Sequence, residues 1–331
     1  MTDRTTRMAA FLDRAGWALA RRAHLAGDAS DRSYLRLWLK GQSAVLMDAP
    51  PGKGDDPADF MRIAAFLRRL GLSAPEVLAS DLTHGFLLLE DLGDGLFAKL
   101  LAADPSQEQR LYEGAVDVLL HLHRQPAPDN LPDLSAAGWA EAAAFAFDHY
   151  ARASLGHVPD GRAAFVGAMT SALQAHADGP RVMILRDYHA ENLLDLPDRA
   201  GLARIGLLDF QLAQMGQPGY DLVSLLQDAR RDVAPAVARA MIDRFASAQG
   251  MQAKDLAPAL ATLGAQRALR ILGIFARLAV EKGKPQYLRL IPRVWGQLQD
   301  NLAHPALADL RTACAPLPVP TPALLDRMAR P

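Results

Sequence analysis

The sequence predicts an α+β chain of two lobes, with a small antiparallel-sheet lobe carrying one helix over residues 1–92 and a larger, mainly helical lobe over 93–331. Three observations predict it. Apolar residues alternate with polar ones between residues 33 and 49, they recur at helical spacing through most of the chain beyond Gly95, and two short apolar runs flank a polar loop near residue 190.

A short helical pattern comes first and ends near Arg22. In Ser33–Lys40, Tyr34, Arg36, Trp38 and Lys40 share one face of a strand while Leu35, Leu37 and Leu39 share the other. The turn Lys40-Gly41-Gln42 leads into Ser43–Ala49, which predicts an antiparallel hairpin ended by Pro50-Pro51-Gly52. Phe60, Ile63, Ala64, Leu67 and Leu70 predict a helix over Pro57–Leu70 with Gly71 as its stop. Glu76–Asp81 and Gly85–Leu92 read as two more strands. Helices are predicted at Pro105–Arg124, Ala136–Ser154 and Gly161–Ala177, with a proline-rich loop over Gln125–Leu134. The apolar runs Val182–Leu185 and Arg204–Phe210 read as one short hairpin. Helices resume at Tyr220–Arg230, Ala234–Ala248, Leu256–Glu281 and Pro285–Asn301, and His304–Pro331 reads as a packed extension or a loose tail.

With 36 Lys+Arg against 37 Asp+Glu and 50% hydrophobic residues, the composition is that of a globular protein and excludes a disordered or collagen-like chain. A single cysteine, Cys314, excludes an internal disulfide and any metal site built on several thiolates. The N-terminal segment interrupts its apolar residues with Arg and Asp every few positions, so neither a signal-peptide core nor a membrane span is expected there, and a cytoplasmic location fits. Neutrality overall conceals an asymmetry, because residues 229–331 carry 15 Lys+Arg against 7 Asp+Glu. That surplus reads either as solvated helix faces or as a bias toward anionic or neutral ligands. Nucleic acid is not an expected partner, since the basic residues are not interleaved with an aromatic platform and aromatics make up 6% of the chain.

The residues with the most chemistry lie in RDYHAENLL and LLDFQ. Asp187 and Asn192 stand five apart in the polar loop, and Asp209 ends the following apolar run. Nucleotide phosphates held with Mg²⁺ need carboxylate and amide oxygens on the metal, and a further carboxylate at the attacking hydroxyl. Asp187, Asn192 and Asp209 supply those groups. A second candidate is GDASDRSY, Gly27–Tyr34, where small residues let backbone N–H groups approach phosphate oxygens. Gly27 and Ser30 belong to that loop, and Arg32 and Arg36 are candidate phosphate ligands. His121 and His123 sit at a helix end and read as structural, His189 as a residue that orients its loop, and Asp221 as a cap or buttress of the helix it begins.

The D-x4-N spacing followed seventeen residues later by D-F resembles the catalytic and metal-binding loops of the protein-kinase-like superfamily, in particular its aminoglycoside and choline phosphotransferases. That resemblance implies a bilobal protein-kinase-like fold, ATP and Mg²⁺ as cofactors, Asp187 as catalytic base, and Asn192 and Asp209 as metal ligands. LLLEDLG, Leu87–Gly93, resembles the connector whose backbone pairs with adenine, which makes Glu90, Asp91 and Leu92 candidates. The sequence departs from the kinase pattern in three places. The phosphate loop has one glycine, Leu185 stands where protein kinases have His, and the strand expected to carry a nucleotide-binding lysine has Met47 and Asp48 instead, leaving Arg32, Arg36 or Lys53 to substitute. GDASDRSYLRL, AVLMDAPP, FLLLEDLGDG, LRDYHAENLL and GLLDFQLAQMGQPGYDLVSLLQD further resemble bacterial anomeric kinases of N-acetylmuramate and N-acetylglucosamine. The implied reaction is ATP-dependent phosphorylation of the sugar C1 hydroxyl in cell-wall recycling, with a small-molecule amino sugar as partner and no membrane or nucleic acid. Arg270, Arg277 and Trp295 are candidates to touch the sugar. Three alternatives stay open: another small-molecule kinase, acting on an aminoglycoside or amino alcohol; a nucleotide-binding module without catalysis; and a partner-binding helical protein whose kinase-like strings are vestigial.

Overall fold

The computed structural model describes residues 3–27 and 32–330. Helix α1 (Asp3–Arg14) packs Phe11 and Leu12 against the sheet core of Leu37, Ala44, Leu46, Phe86 and Leu88. Strand β1 (Arg21–Gly27) pairs antiparallel with β2 (Ser33–Leu39), and β2 with β3 (Gln42–Asp48). β1 is a correction, because its first residues read as the end of a helix. Its sequence lacks alternation because it is an edge strand, specified by cross-strand contacts such as Arg21 over the Trp38 ring at 3.8 Å. The β2–β3 turn is as expected: Lys40 and Gly41 have φ of 50° and 80°, the pair of left-handed residues that lets a two-residue turn follow the twist of its strands.

Helix α2 (Pro57–Arg69) begins where the Asp56 carboxylate accepts from Ala58 N at 2.9 Å, with proline in the first turn. Strands β4 (Val77–Asp81) and β5 (Phe86–Glu90) complete a five-stranded antiparallel sheet of order β1-β2-β3-β5-β4. Helices α3 (Phe97–Ala103) and α4 (Glu108–His123) follow. Of these, α3 had no counterpart in the sequence reading; seven residues give too little periodicity to distinguish it from a loop.

Beyond the proline loop come α5 (Ala136–Ala143), a π-helical turn (Ala146–Ala151), α6 (Arg152–Leu155) and α7 (Arg162–His176). Four short strands follow: β6 (Val182–Ile184), β7 (Leu193–Asp195), β8 (Ile205–Leu207) and β9 (Gln214–Gly216). Here the predicted single hairpin is corrected. β6 pairs with β9, and β7 pairs with β8, so the two apolar runs have different partners. β7 was hidden because Leu193, Leu194 and Asp195 are all buried and show no alternation.

The remaining helices are α8 (Tyr220–Leu226), α9 (Pro235–Ser247), α10 (Ala253–Val280), α11 (Ile291–Leu302), α12 (Ala308–Ala313) and α13 (Pro322–Met328). α10 is the one helix among the described residues long and apolar enough to cross a membrane, yet 78% of its apolar window is buried within the structure. It packs against the π-helical turn, α5 and α11, and at Gly273 a side chain would meet the Phe145 carbonyl oxygen at 2.2 Å, so only glycine permits that approach. The C-terminal segment is packed: Leu317, Leu324 and Met328 are buried and the Tyr150 hydroxyl donates to Pro318 O at 2.6 Å.

The chain falls into two compact units, one of residues 1–118 and 190–213, the other of 119–189 and 214–331. The packing thus groups 93–118 and the β7–β8 ladder with the sheet, whereas the contiguous sequence division at 92 assigned them to the helical part. Gly95 is part of the reason. Its carbonyl accepts from Asp195 N at 2.8 Å, and a Cβ there would sit 2.4 Å from Asp195 O.

Candidate active site

In the sheet-bearing unit, the β7–β8 ladder pairs Leu193 with Leu207, and Leu208 N donates to Asn192 O at 2.9 Å. This register brings Asn192 and Asp209 to the same end of the ladder. Asp209 has φ of 56°, a left-handed conformation that aspartate tolerates better than most residues. Phe210, fully buried, stacks on Phe60 of α2 at 4.9 Å and anchors the residue that follows. The Asp209 carboxylate accepts from Gln211 Nε2 at 2.7 Å; the same nitrogen lies 3.4 Å from Asp55, which is ion-paired with Arg32.

The donor set fits Mg²⁺. Asn192 and Asp209 offer amide and carboxylate oxygens, the hard ligands that ion takes, and among the described residues no group of three or more His, Cys, Asp or Glu forms a closed metal cage. Two protein oxygens leave room for phosphate oxygens and water, the usual arrangement at a nucleotide-dependent transferase.

In the helical unit, Asp187 follows β6 directly after Arg186, whose φ is 73°. Asp221 holds this backbone: its carboxylate accepts from Leu185 N at 2.6 Å and Arg186 N at 2.8 Å, while Ser224 Oγ donates to Arg186 O at 3.1 Å. Asp221 is fully buried and burial pushes its pKa up to about 7, against the two N–H bonds that lower it. It therefore clamps the loop and does not cap α8, whose N-cap is Gly219 and which has no side-chain cap: both carboxylate oxygens are taken by Leu185 N and Arg186 N. His189 is buried beside Arg230, 3.5 Å from its Nε2; burial, then the Arg230 and Arg267 charges, hold its pKa well below the ordinary value. The imidazole there is uncharged at neutral pH, with a single ring proton. His123 packs edge-on against Phe245 and burial lowers its pKa to about 4, a structural role.

The nucleotide candidates separate by environment. Gly27 ends β1 opposite Ser33, and Ser30 lies outside the described residues. Arg32 is 5% exposed. Arg36 is engaged elsewhere: its guanidinium pairs with Asp91 and Asp94 and donates to Gly93 O at 3.0 Å, so it fastens the connector. The Glu90 carboxylate pairs with Arg68 and Arg199, and Glu90 N donates to Glu76 O, so that N–H is already used; Leu92 follows, with its side chain against Gly206. A 380 Å³ cavity includes Glu90 with Arg68, Ser73 and Arg199, and a 440 Å³ cavity beside α2 contains none of the predicted residues.

Among the three candidates for touching sugar, Arg277 is exposed beside Glu281 and Trp295 packs near Tyr150. Arg270 differs. It is partly buried on α10 within electrostatic reach of Tyr220, Arg186 and Asp187, and burial, with the Arg186 charge, lowers its pKa. Gln211 and Asp55 were not singled out in the sequence. Asp55 lies in the turn just before α2.

The model of the phosphotransferase enzyme family matches residues 22–256. The N-acetylmuramate/N-acetylglucosamine kinase of Caulobacter vibrioides is 37% identical over 94% of this chain and 95% of that protein, and the kinase of the same name from Pseudomonas aeruginosa 33% identical over 92% and 91%. Among solved structures, a choline/ethanolamine kinase family protein from Mesorhizobium loti superposes with a TM-score of 0.62 at 17% identity, covering 93% of this chain and 97% of that one. An aminoglycoside phosphotransferase solved as a ternary complex with ADP and hygromycin B gives 0.59 at 12% identity, covering 90% and 98%. The α+β architecture is therefore that of the protein-kinase-like phosphotransferases. With motif order, register and full-length similarity in agreement, the chain belongs to the phosphotransferase enzyme family.

Proposed function

We propose that this chain transfers the γ-phosphoryl group of ATP to the anomeric hydroxyl of N-acetylmuramate or N-acetylglucosamine, as a cytoplasmic enzyme of cell-wall recycling. The observation that carries the phosphoryl chemistry is a pair of left-handed, non-glycine residues, Arg186 and Asp209, the first adjoining the proposed base and the second a proposed metal ligand. Strain of this kind persists where surrounding structure over-determines it, and it clusters at reactive sites. The acceptor is supported by the relatives similar over nearly the whole chain, which are N-acetylmuramate/N-acetylglucosamine kinases.

In the proposed reaction Asp187 orients the sugar hydroxyl and takes its proton, and the Asp221 clamp holds Asp187 in register for that transfer. Asn192 and Asp209 hold Mg²⁺, which when bound with ATP neutralises charge on the transferring group. Arg270, within electrostatic reach of Asp187, suits an acceptor that carries a carboxylate, such as N-acetylmuramate. The net positive charge of residues 229–331 disfavours the reading as a kinase of polycationic aminoglycosides.

The test is Mg·ATP turnover on both sugars, with kanamycin and choline as comparators and the phosphate position read by ³¹P NMR. An acid-labile 1-phosphate is expected. Asp187→Asn is expected to lower kcat by about 10² to 10⁴ with the fold intact. Turnover on kanamycin or choline alone would transfer the assignment to another small-molecule kinase, and nucleotide binding with no turnover on any acceptor would favour a non-catalytic module.

A further inference from the structure

Strand β3 supplies no cation to a nucleotide. Met47 is fully buried, and Asp48 is ion-paired with Arg4 of α1. The register shows where a cation enters instead. Ser33 of β2 is the partner of Asp48, so Arg32 reaches the sheet one residue outside that pair, at the same end of the ladder where strands lie ~4.8 Å apart.

What sets Arg32 apart from Arg36 is that, among the described residues, one carboxylate holds it and not two; a buried Nε without a hydrogen-bond partner is common to both. Arg32 is 5% exposed, and its one carboxylate is that of Asp55. Arg36 is committed to Asp91 and Asp94, and Lys53 is exposed. Burying a guanidinium against a single carboxylate with a donor unsatisfied is costly, and an anion that meets the remaining N–H groups offsets that cost. The planar fork matches phosphate geometry. The Arg32–Asp55 pair is also connected to the metal ligand, because Gln211 Nε2 lies 3.4 Å from Asp55 Oδ2 and 2.7 Å from Asp209 Oδ1.

We propose that Arg32 contacts the nucleotide phosphates in place of a β3 lysine, that Asp55 orients it, and that Gln211 couples this pair to Asp209. The proposal rests on the Mg·ATP reading above. All four residues belong to one compact unit.

The experiment is calorimetric titration of the full chain with Mg·ADP and with adenosine, which lacks phosphate. In Arg32→Gln, Mg·ADP affinity is expected to fall by about tenfold or more while adenosine affinity stays within about twofold. Arg32→Lys keeps the charge without the fork and serves if the glutamine variant does not fold; circular dichroism reports folding, and a loss of roughly three- to tenfold confined to Mg·ADP is expected. Equal losses for both ligands, or no loss in a folded variant, overturn the Arg32 assignment while wild-type binding of Mg·ADP leaves the parent reading standing. If the wild-type chain binds neither ligand, the parent reading fails and takes this one with it.

Discussion

Asp221→Asn tests the clamp on the proposed catalytic loop. The carboxylate is fully buried and accepts two backbone N–H groups at 2.6 and 2.8 Å. Asparagine keeps one acceptor and turns a donor toward the other N–H, so above about pH 7, where the carboxyl is ionised, it loses one hydrogen bond to a charged group, or about 1.5–3 kcal/mol. A second effect depends on pH. Burial raises the Asp221 pKa from 3.8 to about 7, so the native chain holds that proton more tightly than the unfolded chain. Asp221's own contribution to stability is therefore full below about pH 4 and declines as pH rises to 7, by roughly 4 kcal/mol in total. Asparagine does not titrate. The stability difference between wild type and Asp221→Asn is accordingly expected to shrink between pH 5 and pH 8, because the wild type alone loses this contribution. Urea unfolding followed by circular dichroism at pH 5, 6.5 and 8 measures it, and other titrating groups cancel in the difference. With Arg186 released, kcat is expected to fall by about 10²-fold from misplacement of Asp187. A stability difference constant within about 0.5 kcal/mol over that range would refute the raised pKa, and an unchanged kcat would refute the clamp.

Two further outcomes follow from the site. Asp209→Ala removes a proposed metal oxygen and is expected to raise the Mg²⁺ concentration needed for half-maximal turnover by about tenfold or more; an unchanged Mg²⁺ dependence refutes that assignment. Arg270→Gln is expected to raise KM for N-acetylmuramate by about tenfold while KM for N-acetylglucosamine, which lacks the lactyl carboxylate, changes by less than about twofold; equal changes in steady-state kinetics refute a carboxylate contact.

The legible parts of the sequence were those where one physical requirement dominates. Alternating apolar residues and the Lys40-Gly41 turn specify the β2–β3 hairpin, and apolar residues at helical spacing from Pro57 with Gly71 beyond the end specify α2. Asp187, Asn192 and Asp209 stood out because their spacing is set by loop chemistry. Less legible were elements whose identity depends on distant partners. The edge strand β1 needs Trp38, β7 needs β8, and the pairing of β6 with β9 spans thirty residues that show no sign of it in their periodicity. Within the site, Arg36 looked like a phosphate ligand because charge is visible in a sequence, whereas its engagement by Asp91 and Asp94 is not. Gln211 and Asp55 went unnoticed for the converse reason, since their roles arise from a contact across 156 positions.

The Arg4–Asp48 pair bears on the paths by which such an enzyme can change. Arg4 binds Asp48 and also donates to His84 O at 2.6 Å while lying 4.2 Å over the Phe86 ring, so one residue ties α1 to two neighbouring strands. A lysine at position 48 would set two cations together and release that tie, and a lysine at 47 would bury an amine. Placing a lysine at either position therefore requires coordinated replacements, each harmful alone. Through Arg4, α1 thus constrains which residues the end of β3 can carry.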